Sequence, residues 1–116
     1  MGISADSGKQ LLRELVGLTK RRNIALGYQK LTVAGTAVSL TVPANSTYAI
    51  MVIESSIATP AIRYLELGDK TLPTATDGLS RSNTNAWDID GYQNLINFRA
   101  IQVGAGTHTL HIQYYK

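Results

Sequence analysis

A chain of 116 residues, 44% hydrophobic and 16% charged, has the composition of one folded domain and not of a disordered segment. It contains no cysteine, which excludes disulfides, thiolate catalysis and cysteine-rich zinc sites. The net charge of +3 is uneven: residues 1–30 hold six basic residues against two acidic ones, while the remainder holds five against six. A basic N-terminal segment on a near-neutral body points to a partner for that segment. The opening MGISADSGKQLL lacks the basic-then-apolar order of a secretory leader, and no apolar run is long enough to span a bilayer. These features fit an intracellular origin or a particle assembled in a cytoplasm, with no membrane partner.

Ser7 and Gln10 have the spacing of a capping box, and Leu11, Leu12, Leu15, Val16 and Leu18 follow at helical spacing. Lys20, Arg21 and Arg22 suit the negative end of the dipole, so a helix is predicted over residues 8–22. Gly17 weakens it by roughly 1 kcal/mol relative to alanine. A helix this short must pack its stripe on its own body or on a neighbouring subunit. Residues 1–27 therefore read as a helical arm and 28–116 as a β body.

From Tyr28 the period changes to two: Leu31 and Val33, then Val38, Leu40 and Val42, alternate with polar residues as half-buried strands. After the turn Pro43-Ala44-Asn45-Ser46, residues 47–54 (TYAIMVIE) are apolar on both pleat faces, which predicts a central strand with one face on the β core and the other covered by the helix stripe or by another subunit. Further strands are predicted over 61–67, 87–90, 97–103 and 107–115, with a long polar loop over 70–85 that has room for a short strand, and a tight turn over 92–95. In the last strand His108, Leu110, Ile112 and Tyr114 belong to a core. Thr109, His111, Gln113 and Tyr115 face solvent or a subunit. The expected fold is mainly β, a small antiparallel sandwich or jelly-roll-like barrel of seven or eight strands with an N-terminal amphipathic helix.

Candidate chemistry is sparse. His108 and His111 are three apart on one strand and point to opposite faces, so they cannot act together. Asp88 and Asp90 share a face, but two carboxylates fall short of a calcium or magnesium site unless Asp69 or Asp77 joins them. Glu54 and Glu66 pair only if their strands are neighbours. Nothing matches a nucleophile elbow, a phosphate-binding loop or a zinc-helix motif, so the expectation is a non-enzymatic protein without cofactor or metal. Trp87 is either a core residue, which Ile89 on its face favours, or, with Tyr92, a platform for carbohydrate. Lys20-Arg21-Arg22 could meet phosphates, but with no aromatic platform nucleic acid ranks behind protein as a partner.

The order of features from Leu31 onward, in SLTVPANSTYAIMVIES, IRYLELGDKTLPTATDG, IDGYQNLINFRAIQ and HTLHIQYYK, resembles small sandwich proteins that recur among virion components of tailed bacteriophages. The resemblance covers about three quarters of the chain, and its motifs are structural punctuation rather than site chemistry. It implies a non-enzymatic role in a virion built in the host cytoplasm: a capsid decoration or cement protein, or else a tail or fibre component. It further implies a symmetric homo-oligomer, such as a trimer, bound to the major capsid protein or other virion proteins. The residues expected to make those contacts are Leu11, Leu15, Leu18, Lys20, Arg21 and Arg22 in the arm and Thr109, His111, Gln113 and Tyr115 in the body.

Overall fold

The computed structural model describes residues 24–57 and 60–116. The predicted helix, with Leu11, Leu15, Leu18, Lys20, Arg21 and Arg22, lies outside the described residues. The body is mainly β. Its strands are β1 (Ala25–Thr32), β2 (Val38–Ser39), β3 (Tyr48–Ser55), β4 (Ile62–Leu65), β5 (Leu79–Arg81), β6 (Ala86–Asp90), β7 (Arg99–Gln102) and β8 (His108–Tyr115), with a short helix α1 (Tyr92–Asn97) between β6 and β7. They form two four-stranded antiparallel sheets, ordered β1-β8-β3-β6 and β2-β7-β4-β5. Successive strands change sheet at every step except from β4 to β5.

The alternation read in the sequence is the alternation of burial. Ala49, Met51 and Ile53 of β3, and His108, Leu110, Ile112 and Tyr114 of β8, point into one core with Ile62, Tyr64, Ala100 and Phe98 of the second sheet side. His108 is the polar member of this set. Its Nε2–H donates to the Gly104 carbonyl (2.9 Å), which leaves Nδ1 to accept from Ser55 Oγ (2.8 Å), so the buried ring is satisfied at both nitrogens. The turn it holds requires glycine. Gly106 has φ 144, and a Cβ there would lie 2.8 Å from Ser56 Oγ.

Three elements depart from expectation, each for a visible reason, and a fourth, a short strand within the long loop, agrees with it. Strand β1 begins at Ala25, ahead of Tyr28, because a bulge between Ala25 and Gly27 breaks the two-residue period there. Leu40 to Val42 are not a strand: the Thr41 N–H donates to the Gln29 side-chain oxygen (3.0 Å), which also accepts the Tyr114 hydroxyl (2.6 Å). Residues 92–95 are the start of α1 and not a tight turn. Gly91 (φ 102) turns the chain into the helix, and Arg99 caps its end by donating to the Ile96 and Phe98 carbonyls. The long loop carries β5, and Arg63 ties it down through the Ala75 and Gly78 carbonyls (3.1 and 2.9 Å).

Strand β3 is central, as expected, paired with β8 on one side and β6 on the other, and among the described residues only its Ala49, Met51 and Ile53 face is covered. Met51 is fully buried, whereas Ile50 and Val52 are 38% and 36% exposed. Met51→Ala should therefore cost about 2–5 kcal/mol, and Val52→Ala about 1 kcal/mol or less, in chemical denaturation. Equal losses at the two positions would contradict a strand buried on one side.

Candidate functional site

The registers of β1, β8, β3 and β6 lay the outward side chains of the first sheet in rows. Tyr28, Gln113, Ile50 and Asp88 form one row; Lys30, His111, Val52 and Ala86 the next. Tyr115, Tyr48 and Asp90 close one end of this face, and Thr32, Thr109 and Glu54 the other. The two central strands present Ile50 and Val52 beside the uncharged polar Gln113 and the His111 ring, Tyr28 flanks them on β1, and the carboxylates and Lys30 sit at the margin. Tyr28 is 61% exposed, and a shallow depression of about 140 Å³ lies among Tyr28, Ile50, Val52, His111, Gln113 and Tyr115.

Two hydrogen-bonded groups fix the side chains of this face. In the first, the Tyr28 hydroxyl donates to His111 Nδ1 (2.5 Å), and the rings stack with centroids 6.0 Å apart. His111 Nε2 meets the Glu54 carboxylate. In the second group, the Tyr48 hydroxyl donates to Asp88 Oδ2 (2.7 Å) and its ring leans on Tyr115 (5.8 Å). The Asp88 hydrogen bond, then partial burial and the charges of Asp88 and Asp90, push the Tyr48 phenol up to about 12. Both groups join different strands, so the face is presented in one arrangement. Beside Glu54 and His111 the face opens into a polar recess of about 530 Å³, lined also by Lys30, Asn83 and the hydroxyls of Ser55 and Thr109.

The other candidates are placed elsewhere. Trp87 is half-buried between the sheets, stacked on Tyr64 (5.4 Å), with the Arg81 guanidinium 5.0 Å from its ring centroid. Tyr92 lies beside Ala44, Asn45, Ser46 and Thr47. The tryptophan is thus engaged in packing rather than offered as a flat platform. Glu54 and Glu66 do not pair: Glu54 faces outward on the first sheet, while Glu66 follows β4 in the second, half-buried with its carboxyl raised by desolvation. Asp88 and Asp90 do share the outer face, and Asp69 is committed to Thr71 in a distant turn. Among the described residues no group of three or more His, Cys, Asp or Glu side chains could hold a metal ion, and no helix is long and apolar enough to cross a membrane.

Of the residues singled out in the sequence, Thr109, His111, Gln113 and Tyr115 all fall on the outer face. Sequence reasoning missed their neighbours Tyr28, Tyr48, Ile50 and Val52. The signal was present as the apolar second face of β3, for which the sequence left two covers open, the helix stripe or another subunit. Comparisons of the chain with protein-family models, with curated proteins and with solved structures found no match. The face is therefore judged by its own geometry.

In alkaline titration followed by tyrosine absorbance, Tyr48 should keep its proton well above pH 10, the ordinary range for a phenol. Asp88→Asn should move one tyrosine back down toward that range. Identical titration curves for the two proteins would contradict the Tyr48–Asp88 contact.

Proposed function

We propose that this protein is a non-enzymatic structural component of a virus particle, a decoration or cement protein that works through protein–protein contacts made by the outer face of its first sheet. The observation that carries the reading is the composition of that face. Exposed aliphatic and aromatic side chains, Ile50, Val52 and Tyr28, set beside the uncharged Gln113 and the His111 ring with carboxylates and Lys30 at the rim, have the anatomy of a protein interface. An ordinary antiparallel sheet facing water alternates to polar residues on that side, which Tyr28, Ile50 and Val52 do not.

Two further points support it. The strand orders 1-8-3-6 and 2-7-4-5 are those of a two-sheet jelly-roll sandwich, an architecture used by viral capsid domains and by lectins. Fold alone does not assign function. The sequence resemblance to phage virion sandwich proteins favours the capsid branch, and the packed Trp87 speaks against the carbohydrate one. In this reading the partners are further copies of the chain and the major capsid protein or other virion proteins, and the protein resides in the virion.

Ile50→Asp with Val52→Asp places two charges at the centre of the face without touching the core. Centrifugation should show self-association, and attachment to purified particles, weakened by roughly 30-fold or more, with the far-ultraviolet β signal retained. A wild-type chain that is monomeric and absent from purified particles would overturn the proposal.

A further inference from the structure

We infer that the outer face of the first sheet is the docking site for the N-terminal segment, residues 1–23, of a second copy of this chain. The inference rests on the reading of that face as a protein interface and names its occupant.

Charge is the first argument. The margin of the face carries Glu54, Asp88 and Asp90 against the single cation Lys30, so its rim is acidic. Residues 1–23 carry Lys9, Arg13, Lys20, Arg21 and Arg22 against Asp6 and Glu14, so they are basic. The same segment holds an apolar stripe, Leu11, Leu15 and Leu18, which matches the apolar centre of the face. An apolar stripe flanked by cations complements an apolar patch rimmed by carboxylates.

Size is the second. A helix over residues 8–22, the span predicted from sequence, would be about 22 Å long and about 10–12 Å across. Strands β1, β8 and β3, of eight residues each, are about 26 Å long, and with the shorter β6 the four at a spacing of about 4.8 Å give a surface about 14 Å wide between the outer strand axes. One such helix covers the exposed centre, from Tyr28 across Val52, and leaves the charged margins beside its flanks.

The point of attachment selects a second copy over the same one. Ile24 is fixed to Lys116 by two backbone hydrogen bonds (3.2 and 3.0 Å), so the segment leaves the body at the corner where β1 begins. A helix that ends at Arg22, as the sequence predicts, leaves Asn23 alone as the join to Ile24, shorter than the two to six residues that usually connect a helix to a strand it packs on. A helix that cannot fold back over its own sheet offers its stripe to a neighbour, whose own segment can return the contact or pass it on around a closed ring. The Tyr28–His111–Glu54 and Tyr48–Asp88 groups hold the receiving side chains in place beforehand, which lowers the ordering cost of docking.

The absence of native cysteine makes the test direct. Full-length Leu15→Cys and Val52→Cys chains, one of them tagged, are co-expressed, purified and oxidised. The mixed disulfide dimer should exceed, by roughly 10-fold or more, the one formed when Ser80→Cys on the opposite sheet replaces Val52→Cys. In the chain carrying both Leu15→Cys and Val52→Cys, links between copies should predominate. A mixed dimer no more abundant than the Ser80 control, or an internally closed monomer from the doubly substituted chain, would overturn the inference. As a second measurement, full-length Leu11→Asp with Leu15→Asp should sediment as monomer with its β signal intact; unchanged self-association would overturn it too. If these tests fail while Val52→Asp still detaches the protein from particles, the interface reading stands and its occupant is another virion protein.

Discussion

Strand β8 is hydrogen-bonded on both sides, to β1 over Thr32 to Ala25 and to β3 over Ser55 to Tyr48, and the rest of the molecule takes its positions from that double pairing. Because side chains alternate along a strand, fixing these two registers decides at once which residues meet the second sheet and which stand outside. A slip of one residue would carry Leu110, Ile112 and Tyr114 out into water and bring His111 and Gln113 inside. The buried side chains resist that slip, and so does His108. One of its ring nitrogens is spent on Gly104 of its own turn and the other on Ser55 of β3, which would not be in place after a shift.

The outer face inherits its order from this arrangement. Tyr28, His111 and Glu54 come from three different strands, and Tyr48, Tyr115 and Asp88 link β3 to β8 and β6. They meet only because β8 lies between β1 and β3, and because β6 pairs with the far edge of β3. The core and the contact surface are thus two readings of one set of registers. A substitution that disturbs pairing is felt on both, whereas one confined to Ile50 or Val52 alters the surface alone.

Much of this was legible in the residues themselves. The alternation of β8 gave its inward and outward sets, and Met51 with its neighbours marked β3 as a core strand. The outward half of β8 was also visible, since Thr109, Gln113 and Tyr115 are polar without being charged. What local sequence could not supply was what covers a second apolar face. Ile50 and Val52 have the same chemistry whether a helix, another sheet or another molecule lies over them. The strand-like run at Leu40 to Val42 failed for a related reason. The bond that displaces it comes from Gln29, eleven or more residues away, and no period records a side chain reaching across. Helix α1 was equally hidden, since its six residues depend on the backbone of Gly91 and the Arg99 guanidinium rather than on a strong pattern of their own.

The arrangement around Trp87 has an experimental use. It is the sole tryptophan of the chain, and it sits between the sheets at the lateral edge formed by β6 and β5, against Tyr64 and under the Arg81 guanidinium. Its emission therefore senses the separation of the sheets and the seating of one cation. The indole lies on the opposite side of the first sheet from Tyr28, Val52 and Tyr115. Nature has in effect placed an optical reporter of folding where events on the outer face leave it in the dark.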